Sequence, residues 1–288
     1  VIDTGVDRSH TDLAANMWTN SGEKGPTTLQ GPAPNCTSRG LVLDKNCNNL
    51  DDDGKGYIDD YNGWNFTAGN NNPMDDHGHG THVAGTIGAV GNNEIGVVGV
   101  NQQTKIMAVK FLDETGSGST DQGAEAIRYA ADNGARIINN SWGGPKQPIV
   151  DDAVAYAASK NVLVVSAAGN SSSDANWFSP AGAPDSMAIA AYAVGDSRAS
   201  FSNYGSKIDV AAPGVDVLST RSSQDKVCRG SWLVGTKYCR LSGTSMASPH
   251  VAGVAALILA KNPSFTAAEV RQIIRASAED LGTPGFDP

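Results

Sequence analysis

Ile106-Met-Ala-Val-Lys-Phe111, Arg136-Ile-Ile-Asn-Asn-Ser141 and Val162-Leu-Val-Val-Ser-Ala-Ala168 are short, largely apolar runs, and Met187-Ala-Ile-Ala-Ala-Tyr192 follows after a long loop. Helical patterns near Asp121 to Asn133 and Val150 to Ser159 separate the first three. A strand without clean polar alternation is covered on both faces, which is the mark of a parallel sheet between helices. The expected fold is α/β: a three-layer α/β/α sandwich with a mostly parallel central sheet. Two helices follow. Met246 to Lys261 is apolar almost all round and is predicted to run through the interior. Thr266-Ala-Ala-Glu269 is a capping box opening an amphipathic helix that reaches about Ala278. Upstream, roughly residues 20–75 are polar and rich in Gly, Asn and Asp, and read as an insertion into a single domain spanning 1–288.

Composition narrows the function. Lys plus Arg number 21 against 30 Asp plus Glu, a net charge of −9, which argues against nucleic-acid binding by phosphate neutralisation. The acids are 24 Asp and only 6 Glu, and Asp favours turns, caps and oxygen-rich cation sites. The longest apolar stretch, Val251 to Ala260, is too short to cross a bilayer, so no membrane segment is expected. Cys36 with Cys47 and Cys228 with Cys239 form two local pairs without C-x-x-C spacing. Two short-loop disulfides in an oxidising compartment is the favoured reading, and four free thiols in a cytosolic protein the alternative.

Three segments combine reactive side chains with Gly-rich turns: Val1-Ile-Asp-Thr-Gly5, His77-Gly-His-Gly-Thr-His-Val-Ala-Gly85 and Ser242-Gly-Thr-Ser-Met-Ala-Ser-Pro-His-Val-Ala-Gly253. Singly each reads as a cap, a turn or a helix start. Together they supply an acid, a base and a nucleophile, in the chain order Asp, His, Ser. Ser245 lies where a Gly-rich turn feeds an apolar helix, so its N–H is one of the unpaired donors of a helix start. The spacing of His77, His79 and His82 is not that of a zinc motif.

On Val1-Ile-Asp-Thr-Gly5, His79-Gly-Thr-His-Val-Ala-Gly85, Ser166-Ala-Ala-Gly-Asn170 and Gly243-Thr-Ser-Met-Ala-Ser-Pro-His250, the sequence resembles the subtilisin-like serine proteases, the subtilases, over nearly its whole length. The resemblance implies Asp3, His79 and Ser245 as catalytic triad, Asn170 as oxyanion-hole side chain, and structural or loop roles for His82, His250, His10 and His77. It also implies substrate contacts by Gly116, Ser117 and Gly118 and by Ser141, Trp142 and Gly143, with Gly169 beside Asn170. Phe178, before Ser179-Pro180, is expected to narrow the pocket for the side chain preceding the scissile bond. Subtilases normally extend further at both ends, so the domain is expected to be truncated at both.

Two calcium positions are expected. In the insertion, Asn49-x-Asp51-x-Asp53-Gly54 followed by Asp60 fits an EF-hand-type loop with Asp in place of the final Glu, and Asp59 competes with Asp60. A solvated acidic turn is the alternative. The second position is implied by the resemblance: Asp12 with Asn93 in the loop Gly91-Asn-Asn-Glu-Ile-Gly-Val97. The expected function is that of a secreted, calcium-stabilised serine endopeptidase acting through an acyl-enzyme, monomeric, with polypeptide substrates and its own pro-segment as partners. A catalytically inactive calcium- or peptide-binding module and an esterase using the same triad are the alternatives. Asn35-Cys-Thr and Asn65-Phe-Thr fit the N-glycosylation pattern.

Overall fold

The computed structural model describes residues 1–32, 36 and 42–281. The expected apolar runs form the strands Ala108–Lys110, Ile137–Asn140, Leu163–Ala167 and Ser186–Ala193, with Ile2–Asp3 among them. In sheet order Ser186–Ala193, Leu163–Ala167, Ile137–Asn140, Ile2–Asp3, Ala108–Lys110 and Gly63–Asn65 lie side by side, all parallel. Ile208–Pro213 adds a parallel partner to Ser186–Ala193, and Ser197–Arg198 an antiparallel one. The insertion is thus not wholly outside the sheet, because Gly63–Asn65 is its edge strand. Gly63 allows that approach: at φ +122°, a Cβ there would lie 1.8 Å from the Ala108 carbonyl oxygen.

Alternate residues of one strand feed opposite layers, as the two-residue period of a strand requires. Val164 and Ile138 pack with α2 (Thr120–Asp132) and α3 (Pro148–Ser159). Leu163 and Val165 pack with α1 (His79–Gly88), α4 (Thr244–Lys261) and α5 (Ala267–Ser277). Each large aliphatic side chain so buried contributes about 1.5–3 kcal/mol. The result is the three-layer α/β/α sandwich.

Helix ends follow the local signals. Ser119 caps α2 through the Gln122 N–H, Pro148 opens α3, and both halves of the Thr266–Glu269 capping box are made. The interior course expected of the helix ending at Lys261 holds only for its first part. Thr244 through Ala255 is mostly buried, whereas Val254 and Leu257 are exposed. Both disulfides, Cys36–Cys47 and Cys228–Cys239, are formed. Asn65 is buried, and its amide nitrogen, the atom that would carry a glycan, donates to the Asn72 carbonyl while its side-chain oxygen accepts from the Thr67 and Ala68 N–H groups and the Thr67 hydroxyl; Asn35 lies outside the described residues. Among the described residues no helix is long and apolar enough to cross a membrane.

Candidate active site

Asp3 ends a central parallel strand, and the chain continues on either side of that strand into different halves of the sheet. The carboxyl end of such a strand is where open α/β sheets place their sites. His79 is the first residue of α1, and its Nδ1 lies 2.8 Å from Asp3 Oδ1. The approach needs Gly80: a Cβ there would lie 2.1 Å from the Gly5 carbonyl oxygen and 3.1 Å from Asp3 Cβ. Asp3 is buried, with the Thr4 N–H on the same oxygen at 2.7 Å. Its other oxygen, also buried, meets no donor among the described residues.

Residues not singled out in the sequence hold this pair. Asp75 caps the start of α1, accepting from the N–H groups of His77, Gly78 and Thr81, and from the Thr81 and Thr4 hydroxyls. Thr4 Oγ1 in turn accepts from the Gly80 N–H at 2.9 Å. Buried Lys110 donates to the Thr4 and Leu112 carbonyls and to Asp76. Two signals were available: Asp75 opens a Gly-rich turn, where an Asp side chain commonly accepts from N–H groups two and three residues on, and Lys110 interrupts an otherwise apolar strand.

Burial disfavours the imidazolium of His79, but the charge and hydrogen bond of Asp3, with Asp75 behind, outweigh it, so His79 titrates above its ordinary value. The neighbouring rings go the other way. Burial and His79 push His82 down to about 4, and burial and the same neighbour lower His77; burial lowers His250. His82 Nε2 lies 3.0 and 3.1 Å from the Val217 and Cys239 carbonyls, so the proton sits there on a neutral ring. His10 is buried, between the Lys237 carbonyl and the Asp12 N–H.

Ser245 is in the first turn of α4, which packs on α1. Its N–H has no carbonyl one helical turn earlier to receive it. Its Oγ donates to the Ser141 carbonyl at 2.8 Å rather than to His79. Asn170 is oriented by its side-chain carbonyl oxygen, which accepts from the Thr244 N–H and hydroxyl at 2.8 and 3.0 Å; the residue itself is exposed and lines a cavity. Trp142, Gly143, Gly169, Asn170, Phe178 and Ser245 share the wall of one cavity of 160 Å³. The Trp142 ring also packs edge-on against Phe111 at 4.6 Å. Ser141 is buried, with its hydroxyl on the Ser245 carbonyl and Ser248 Oγ, so it offers backbone only. Gly116, Ser117 and Gly118 lie on a separate loop folded over the Asp113 carboxylate, with Gly116 against the His77 ring. A larger cavity of 420 Å³ opens elsewhere, around Val1, Met107 and Ala256.

The cation positions differ from expectation. Asn49 turns its amide to the Pro32 carbonyl, and its N–H is taken by Asp59. Asp51 accepts from the N–H groups of Gly54, Lys55 and Gly56 of its own turn. Neither joins Asp53 and Asp60, which instead meet Glu23: oxygens of these three carboxylates lie within 4.8 Å of one another. Burial raises the carboxyl of Glu23 to about 7 and raises that of Asp60. At the second position the loop does reach Asp12, but as a set of donors. The Asn93 amide, the Val97 N–H and the Tyr238 hydroxyl all donate to that carboxylate, so both of its oxygens are occupied and Asn93 presents nitrogen. The residues there do not fit a cation as they stand.

The chain matches the subtilase family, peptidase S8, over residues 1–288. It is 43% identical over 221 residues to M-protease of Shouchella clausii (strain KSM-K16), covering 76% of this chain and 54% of that one. Against Subtilisin Savinase of Lederbergia lenta it is 42% identical over 222 residues, 77% of each chain. A solved cold-adapted subtilisin-like serine proteinase superposes with TM-score 0.72 at 31% identity, over 96% of this chain and 80% of that one. Proteases from Pseudoalteromonas arctica PAMC 21717 give 0.70 at 32%, over 97% and 82%. The matches thus span from about half to three quarters of the length of these two curated relatives. With the family model matched over residues 1–288 and relatives above 40% identity, the chain belongs to the subtilase family.

Proposed function

We propose that this chain is a serine endopeptidase that hydrolyses peptide bonds through an acyl-enzyme. The observation that carries this reading is the 2.8 Å contact between His79 Nδ1 and the buried carboxylate of Asp3, which holds the imidazole in the tautomer whose Nε2 accepts a proton. Ser245 Oγ leaves the Ser141 carbonyl, at a cost of one hydrogen bond or about 0.5–1.5 kcal/mol, and attacks the substrate carbonyl carbon while His79 Nε2 takes its proton. Asp3 stabilises the imidazolium. The Asn170 NH2 and the Ser245 N–H receive the oxyanion, since the Asn170 carbonyl is already tied to Thr244. His79 then gives its proton to the leaving amine, and a water repeats the sequence at the acyl carbon.

Polypeptide substrates suit the surroundings. In this reading the backbones of Gly116–Gly118 and Ser141–Gly143 pair with an extended chain, and the cavity walled by Phe178 receives one side chain. Two disulfides support secretion into an oxidising compartment. One domain over the whole length, a monomeric state, a pro-segment as partner and a structural calcium in the insertion complete the reading. Matched peptide amide and ester substrates test it. Hydrolysis of both, lost in Ser245→Ala, supports the peptidase; turnover of the ester alone makes the protein an esterase, and turnover of neither makes it a binding module.

A further inference from the structure

The insertion assembles a carboxylate set other than the one its loop pattern suggests. We propose that Glu23, Asp53 and Asp60 form a site for a hard divalent cation of the calcium class, which ties the insertion to α2. The site takes up the structural calcium of the preceding reading but is independent of the catalytic residues.

Glu23 is wholly buried. Its Oε1 accepts from the Asp52 and Asp53 N–H groups at 2.8 and 3.2 Å, while Oε2 is buried and meets no donor among the described residues. Every other oxygen of the three carboxylates is served. The Asn20 amide donates to Asp53 Oδ2 and Asp60 Oδ1 at 2.9 and 2.6 Å. Lys55 donates to Asp53 through its N–H and its ammonium, and the Tyr129 hydroxyl donates to Asp60 Oδ2 at 2.6 Å. Among the described residues one buried oxygen therefore lacks a partner, on a carboxylate set beside two others of its own charge, the arrangement a cation relieves. Oxygens within 4.8 Å of one another suit one ion holding them at about 2.3–2.6 Å; magnesium, at about 2.0–2.1 Å and reluctant to lose water, spans less. Tyr129 is a buried residue of α2, and Lys55 also donates to Asn133 at the end of that helix. An ion on Glu23 would thus join residues near 20, 53 and 60 to one helix.

Calorimetric titration of the full chain, freed of metal by chelator, with calcium and separately magnesium provides the test. The expected result is calcium uptake at this site with a rise in Tm, weaker for magnesium, and at least a tenfold loss of affinity in Glu23→Gln and in Asp60→Asn. Asp51→Asn and Asp12→Asn should change affinity less than twofold. Terbium bound to the wild-type chain should emit when tyrosine is excited, because Tyr129 touches Asp60. Absence of uptake at millimolar calcium overturns the proposal, as does uptake indifferent to both Glu23→Gln and Asp60→Asn or abolished by Asp51→Asn or Asp12→Asn. A wild-type chain without calcium response that Glu23→Gln stabilises would show a protonated carboxyl instead, and also overturns it. If Glu23→Gln does not fold, Asp60→Asn and terbium emission decide.

Discussion

His79 Nδ1 and Asp3 Oδ1 lie 2.8 Å apart, and the second oxygen of Asp3 is buried without a donor among the described residues. The imidazolium is therefore the main counter-charge open to that carboxylate, and the His79 proton is held above its ordinary pKa. As a base His79 must be neutral, so kcat/KM should rise with pH through a midpoint above the ordinary His value of about 6.5. Asp3→Asn should move that midpoint down and lower kcat by about 10⁴. An acid limb that stays in place in Asp3→Asn would show that another group sets it. The same shift has a stability sign: a raised folded pKa stabilises the fold below the unfolded pKa, and this contribution is lost as pH rises through the folded value.

Asn170 is held by its carbonyl on Thr244, leaving its NH2 as the oxyanion donor. Asn170→Ala should lower kcat with little change in KM, because the donor acts on charge that develops only in the transition state. The size established for this donor in subtilisin, about 10²–10³ in turnover, is the one expected. A loss confined to KM would make Asn170 a binding residue.

His82 should govern acid stability. Its folded pKa of about 4 lies below an unfolded value of about 6.5, so the unfolded chain binds the proton first. The stabilisation is complete above about 6.5 and drains away as pH falls to 4, a loss on the order of 3 kcal/mol at about 1.4 kcal/mol per unit. Denaturant unfolding from pH 7 to 4 should be steeply pH-dependent in the wild-type chain and shallower in His82→Gln. Equal slopes would assign the acid loss elsewhere.

The strands and the reactive triplet were legible because both are local patterns. Apolar runs such as Val162 to Ala168 mark strands buried on both faces, and Asp3, His79 and Ser245 each sit in a short Gly-rich motif. What supports them left only faint marks, such as a lysine in an apolar strand, because it arises from contacts between distant segments. Lys110 finds the Thr4 carbonyl 106 residues away, and Glu23 meets Asp53 and Asp60 only through the folded insertion. The EF-hand-like spacing grouped Asn49 and Asp51 with Asp53 and Asp60, but Asp51 accepts from the N–H groups of its own turn, as short polar side chains commonly do, and Asn49 donates to the Pro32 carbonyl 17 residues away. The exposed end of α4 likewise depends on which layer runs out first, and an all-round apolar pattern does not encode that.

The most direct test of the catalytic reading is labelling of folded chain with a serine-directed fluorophosphonate, followed by mass-spectrometric mapping of the modified peptide. The account predicts a single adduct on Ser245, slowed strongly in His79→Ala and absent after denaturation. An unlabelled Ser245 in folded, calcium-supplemented protein, or labelling at Ser245 that persists unchanged in His79→Ala, would contradict it.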